Sequence, residues 1–338
     1  MLTPDDVGHR VVVRRIVGFR GDRPLYSDAL GELIELTPTH LTVATDRGPV
    51  RVPLAEVHRA KRVPARRRPP RSQIAALERA ADEAWPAPVR ERLGDWWLRA
   101  ADGWTGRANS ALPVGDPGLP MDAAIDAVER WYAERGLPPR VNVPLPLAAA
   151  VDAELDARGW STSPPVLVQT ARLSAVLPGI PDRPDLPPVR LAERPSPEFL
   201  QVVAGRKGPP PTAASHLLSA VSEVRFAHVY APRPPAADDD DANGRDDLLG
   251  VARGTVTGGG RWLGLVLIEV APRARRRGLA QHMTRALAAW ADGLGATDAF
   301  LQVEEHNADA VALYAKLGFT THHHYVARSA PDDPPRLG

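Results

Sequence analysis

The chain has 338 residues, with 42 Lys and Arg against 41 Asp and Glu, and a formal net charge of +1. That balance supplies no global field for nucleic acid or a membrane surface. The absence of cysteine excludes disulfides, thiolate metal sites and a cysteine nucleophile. The length predicts two or three domains. No apolar run approaches the roughly 18 residues of a membrane helix. Residues 1–9 are acidic where a signal peptide would be basic, so a cytoplasmic protein is expected. Prolines gather at 64–70, 178–188, 209–211, 232–235 and 331–335, where they mark joints.

Short strands are predicted at Arg10–Arg15, Gly31–Thr37, Leu41–Thr45 and Val50–Pro53, with a tight turn at Asp46-Arg47-Gly48. Strands this short, with turns every few residues, predict a small barrel over residues 1–62, and the stretch resembles an SH3-like domain. Residues 63–71 form a basic, proline-rich linker. Its cations have no interleaved aromatic residues, so it reads as solvated chain and not as a platform for single-stranded nucleic acid.

Two further segments, 72–180 and 188–330, are related by a shift of 159 positions. Under it Trp131 meets Trp290, Gly136 meets Gly295, Gly159 meets Gly318 and Trp160 meets Phe319. A period of this length predicts duplicated domains, not a solenoid, and is compatible with a monomer. Within the first segment, Trp96–Arg99 and Trp104–Ser110 read as a strand pair. Arg107, Asn109 and Ser110 are there candidates for gripping an acceptor carboxylate or for plain surface side chains. In the second segment a hairpin is expected between Val224–Tyr230 and Leu248–Val256. The Pro- and Asp-rich loop 232–247 inside it has little to bury, and the tail 331–338 is of the same kind.

The chemistry concentrates after the predicted strand Trp262–Val270. An Arg-rich loop follows, then a helix with Ala280, Met283, Leu287, Trp290, Ala291 and Leu294 on one face. Strand, loop and helix in this order aim free backbone N–H groups and a helix dipole at one point, as a pyrophosphate requires. A strand at Phe300–Val303 leads to a helix that Asn307 can cap and Gly318 can stop. Asn307 and Tyr314 lie two turns apart on nearly one helix face.

Arg275-x-x-Gly278-x-Ala280 matches the (Arg/Gln)-x-x-Gly-x-(Gly/Ala) signature of GCN5-related N-acetyltransferases (GNATs), and the stretch 262–328 resembles that superfamily. The whole arrangement is similar to an actinobacterial group, some of whose members are labelled N-acetylglutamate synthase. The resemblance implies an α+β mixed-sheet fold: tandem GNAT-like folds preceded by the small SH3-like barrel. It implies acetyl-CoA as co-substrate, no metal, and direct attack by an amine in a ternary complex. Arg275, Arg276, Arg277, Gly278, Leu279 and Ala280 would hold the pyrophosphate. Ile268 and Val270 would pair with the pantetheine amides, Asn307 would touch the same arm, and Tyr314 would protonate the departing thiolate. The acceptor is an amino acid such as glutamate, a protein or peptide amine, or another small amine.

Some superfamily members place a Glu five residues before the Asn. Here that position is Gln302, which cannot titrate, so Glu269, Glu304, His306, His322 and His324 stand as candidate bases. In the run His322-His323-His324, strand alternation turns His323 away from its neighbours, and no ligand spacing accompanies it. In the first segment Leu119, Met121, Ala148 and Leu155 occupy the places of Gly278, Ala280, Asn307 and Tyr314, and Pro113, Pro117 and Pro120 remove N–H donors. That half is expected to be degenerate and to shape the acceptor cleft. The rival class is a nucleic-acid-associated regulator that senses acetyl-CoA without turnover. The mixed charges of the barrel and the presence of Tyr314 count against it.

Overall fold

A computed structural model describes residues 2–21, 23–45, 48–63, 69–208, 211–232 and 247–331. Asp46 and Arg47 of the expected turn, the linker centre, most of the loop 232–247 and nearly all of the tail lie outside them. The chain divides into two compact units, Met1–Arg68 and Pro69–Gly338.

The first unit is a sheet of β1 (Arg10–Arg20), β2 (Arg23–Leu36), β3 (His40–Thr45), β4 (Gly48–Pro53) and β5 (Val57–Arg62). The strands pair antiparallel along the path β4-β3-β2-β1-β5. This is an open path, not the closed ring expected of a barrel. The fifth strand, rich in charge, has no alternation that would announce it. Val11, Val13, Ala29, Leu33, Leu41, Val43 and Val52 form the core.

The second unit opens with α1 (Arg71–Glu83) and the hairpin β6 (Val89–Leu93) and β7 (Trp96–Ala100). The expected partner of β7, 104–110, is instead a loop with a short 3-10 turn at Arg107–Asn109. Next come α2 (Met121–Ala133), β8 (Arg140–Leu145), α3 (Ala149–Ala157), β9 (Ser161–Thr162), β10 (Val166–Arg172) and α4 (Leu173–Gly179). They are followed by β11 (Arg190–Ala192), α5 (Pro197–Lys207), α6 (Thr212–Ser219), β12 (Val224–Tyr230) and β13 (Leu248–Thr257). The chain continues through β14 (Trp262–Val270), α7 (Leu279–Gly293), β15 (Asp298–Glu304), α8 (Ala308–Lys316) and β16 (Thr320–Ser329).

The shift of 159 maps Ala149–Ala157 onto Ala308–Lys316, so α3 falls on α8 residue for residue. Helix ends match too. Leu137 N donates to Tyr132 O and Ala296 N to Ala291 O, both at 3.0 Å. Trp160 N donates to Leu155 O and Phe319 N to Tyr314 O, again at 3.0 Å. Gly136, Gly159, Gly295 and Gly318 all sit at positive φ, where the chain needs a residue without Cβ to leave the helix.

The two segments nevertheless do not pack as separate bodies. One sheet runs β11-β12-β13-β14-β15-β10-β16-β8, with β9 on β16. Thus β10, from the first segment, lies antiparallel between β15 and β16, while β16 reaches across to pair with β8. Each half supplies the strand that covers the other's open edge. Helix α7 packs Leu279, Met283, Leu287, Ala288 and Ala291 on this sheet. Its expected apolar face extends less far than the spacing suggests: Leu294 is exposed, because the helix ends there and the chain turns at Gly295.

A fragment spanning residues 182–338 lacks β10, so it should show no cooperative thermal transition alone and regain one when co-refolded with residues 69–181. Circular dichroism melts and gel filtration test this. A sharp melt of the isolated fragment as a monomer would refute the strand exchange as a folding requirement.

Candidate active site

Strands β14 and β15 are the parallel pair of the sheet, joined only from Trp262↔Asp298 to Leu265↔Leu301. Beyond Leu265 they part, each still held by its outer neighbour, β13 on one side and β10 on the other. The register of β13 against β14 slips between Val251↔Glu269 and Arg253↔Val266, a bulge that places Leu267 at φ 56°. A left-handed leucine is disfavoured by sterics, and the surrounding ladder must enforce it. Val266 and Leu267 consequently turn toward the same core cluster, beneath α5 and α6, and Ile268 faces the α7 side.

The gap opens into a cavity of about 570 Å³. Asn307, Ala310 and Tyr314 line it from α8, and Trp85, Thr105, Arg107, Gln302 and Tyr325 line the part formed by the first half and the adjoining strands. Ile268 also lines it, whereas Val270 and Arg275 line a neighbouring hollow beside α5.

The loop before α7 is a short turn, Pro272–Ala274, pinned by the buried Ala274. Arg276 at φ 65° and Gly278 at φ 91° are both left-handed. Such a run turns successive N–H groups toward one side, and the first turn of α7 leaves further N–H groups without helical partners. Arg276, Arg277 and Gly278 line a hollow with Gln281 and with Arg183, Asp185 and Leu186. Leu279 is buried, and Ala280 is half-buried on the first turn. Arg275 Nε donates to Val270 O at 3.3 Å, which braces the loop against its own strand. Arg183, which pairs with Asp185, was not legible as part of this site, because it sits in the proline-rich joint between the halves and tertiary packing brings it to Gly278.

Asn307 is the N-cap of α8, its Oδ1 accepting from Ala310 N at 3.2 Å. Tyr314 is half-buried against the main core, its ring 5.9 Å from that of Phe319. At the matching places in the first half, Ala148 offers no side-chain cap and Leu155 is fully buried.

Arg107 crosses from the first half to Gln302: its Nη1 donates to Gln302 Oε1, and its guanidinium lies 5.3 Å from the Trp85 ring centre. Asn109 and Ser110 do not join it. Asn109 Oδ1 accepts from Ala101 N and Gly103 N, and Ser110 bonds to Arg99 and to the Arg107 carbonyl. These two therefore fix the loop that carries Arg107. Of the five candidate bases, Glu269 and Glu304 line the cavity. His306 is exposed and sits 3.1 Å from Glu304.

A sheet with a bulged strand parting from its parallel neighbour, followed by a left-handed loop and a helix N-terminus, is the architecture of GCN5-related N-acetyltransferases. Residues 71–327 match the family described as probable histone acetyltransferase Rv0428c, C-terminal, and the chain belongs to that family. It is an N-acetyltransferase of the GNAT class. The chain is 32% identical to the probable histone acetyltransferase Rv0428c of Mycobacterium tuberculosis, over 96% of this chain and 95% of that protein. It is 28% identical to the uncharacterized N-acetyltransferase YobR of Bacillus subtilis, over 75% of this chain and 97% of that one. Among solved structures, a GCN5-related N-acetyltransferase from Kribbella flavida shares the fold at TM-score 0.56 and 14% identity, covering 78% of this chain and 96% of the other. A tandem GNAT protein from the clavulanic acid biosynthesis pathway does so at TM-score 0.52 and 17% identity, with coverage of 80% and 91%.

The histidines of β16 lie outside the cavity lining. His323 is buried, its Nε2 2.8 Å from Glu78 Oε1, and its Nδ1 is 2.9 Å from that of His322. Burial, with the neighbouring His323 adding to it, pulls His322 down to about 4 from an ordinary 6.5. Burial lowers His324 as well. Between those two values the unfolded chain takes up a proton that native His322 refuses, so stability present above about pH 6.5 drains away as pH falls toward about 4. Urea midpoints should therefore drop on acidification, and His322→Gln should soften the drop between about pH 6.5 and about pH 4.5. An unaltered pH slope in the variant would remove His322 as a source.

Proposed function

We propose that the protein transfers the acetyl group of acetyl-CoA to a primary amine, by direct attack within a ternary complex. The observation that carries this is the parting of β14 from β15, which opens a cavity lined by residues from both sides of the sheet. Acetyl-CoA would enter past α7 and α8, and the acceptor past Trp85 and Arg107. The left-handed loop supports the coenzyme reading: N–H groups of residues 275–280 and the dipole of α7 suit a pyrophosphate, with Arg276, Arg277 and Arg183 supplying positive charge. Ile268 and Val270 would extend the β14 ladder to the pantetheine amides, and Asn307 would hold the same arm.

In this reading the amine nitrogen attacks the thioester carbon, the C–N bond forms and the C–S bond breaks. A backbone N–H of the bulge near Leu267–Val270 would polarise the carbonyl oxygen. Glu269 or Glu304, or water between them and solvent, would take the amine proton, and the Tyr314 hydroxyl would give one to the leaving sulfur. The first half, with Ala148 and Leu155 in the key positions, would bind no coenzyme and instead wall the acceptor cleft. The first unit would serve as an SH3-like accessory domain. The acceptor is an amino acid such as glutamate. The name of the Mycobacterium tuberculosis relative favours a protein lysine as a second reading.

Replacing Gly278 by Glu puts a side chain and a negative charge at a left-handed position facing the phosphate hollow. Calorimetry with acetyl-CoA should show affinity falling at least a hundredfold, and retained affinity would contradict the placement. Tyr314→Phe should lower kcat roughly tenfold to a hundredfold, within the range of general acid catalysis, while acetyl-CoA affinity changes less than about twofold. An unchanged kcat, measured by thiol release, would exclude Tyr314 as the acid.

A further inference from the structure

Among the described residues three arginines of the second unit are buried, and each is engaged by the protein. Arg99 pairs with Asp82 at 2.8 Å and donates to the Ser110 carbonyl. Arg253 donates to the carbonyls of Leu218, Ala84 and Leu217. Arg328 pairs with Asp152 and Asp156. Arg107 differs. It lines the cavity, its one side-chain hydrogen bond goes to the neutral amide of Gln302, and no carboxylate lies within ion-pairing distance among the described residues. Its Nε and Nη2 edge is thus left for something else. Glu78 and Asp82 act on Arg107 only from beyond ion-pairing distance; a half-buried cation so placed is costly, and an anion delivered to it relieves that cost. Arg253 lies 5.2 Å from the centre of the same Trp85 ring, which adds to the positive potential.

Two further observations point to a ligand. Thr255, fully buried and lining the cavity, has its Oγ1 without a hydrogen-bond partner among the described residues. Glu304 lies two residues beyond Gln302 on the same face of β15, roughly 7 Å along the strand, so a negative group stands across from the positive one. A molecule with a carboxylate at one end and an amine at the other matches this pair.

Building on the acetyltransferase reading, we propose that Arg107, contributed by the first half, is the specificity-determining residue of the acceptor site. It grips the carboxylate of an amino-acid-like acceptor through its free guanidinium edge, and the amine is thereby directed toward the gap between β14 and β15. A planar fork pairing with a carboxylate gives both affinity and orientation.

The test measures thiol release from acetyl-CoA by the full chain, with α-amino acids including glutamate, their carboxamides, and a lysine peptide without acidic residues. The wild type should favour acids over the matching amides by at least tenfold in kcat/KM. Arg107→Gln should raise KM for the acids by roughly tenfold to a hundredfold, the loss expected for a charge-assisted hydrogen bond. Its KM for amides should rise by less than that for the acids, its acetyl-CoA affinity should stay within about twofold, and Arg107→Lys should recover part of the preference. The acid-to-amide comparison needs no variant, so it decides the matter even if Arg107→Gln fails to fold. Equal use of acids and amides, preference for the peptide, or turnover of none of the acids by protein that binds acetyl-CoA would overturn this inference alone. Failure of the wild type to bind acetyl-CoA would overturn the acetyltransferase reading and this inference together.

Discussion

The parting of two parallel strands is the constraint on which the rest of this structure depends. A sheet normally satisfies its backbone groups by continuous pairing, and an interior gap leaves N–H and C=O groups facing empty space. Here the gap is tolerated because each strand keeps its outer partner, β13 for β14 and β10 for β15. The bulge at Leu267 then sets the direction in which β14 departs. Freed backbone near Ile268 is a ready edge for another extended chain, and a pantetheine arm has the amides to use it.

That solution explains the reciprocal strand exchange. If β15 lacked β10, its outer edge would be open as well as its inner one, and the two sides of the gap would not be held apart. The same exchange covers the edge of β8 with β16. It also ties the first half to the cavity, which β10 lines with Val166 and the loop after β7 lines with Arg107. In the proposed reading, a half that has Leu155 where its counterpart has Tyr314 contributes walls and charge in place of a second reacting centre.

Electrostatics distinguish the two regions that the proposal assigns to the two substrates. The loop before α7 offers exposed arginines and backbone dipoles, in a hollow where screening is strong and diffuse charge suits phosphates. The cavity offers one half-buried guanidinium over the Trp85 ring, where a single charge is less screened and its direction matters more. Buried arginines elsewhere are engaged locally, Arg99 by the Asp82 carboxylate and Arg253 by three backbone carbonyls. The contrast among side chains of one type makes Arg107 informative.

Much of this was legible in the sequence, wherever the cause is local. Strand β14 begins and ends where its apolar run does, Asn307 caps α8 because a short polar side chain precedes the helix, and Gly295 and Gly318 end helices because the left-handed stop needs no Cβ. The shift of 159 residues likewise rests on these local signals. Tertiary structure decided what locality cannot: that β10 crosses into the second half, that Trp104–Ser110 is a loop and not a strand, and that Arg183 and Arg107 reach the two hollows. Those outcomes depend on pairings between residues far apart in the chain, and Arg107 and Gln302 carry no periodicity that names each other. Composition and spacing determine which elements form; the closing of sheet edges determines which side chains meet.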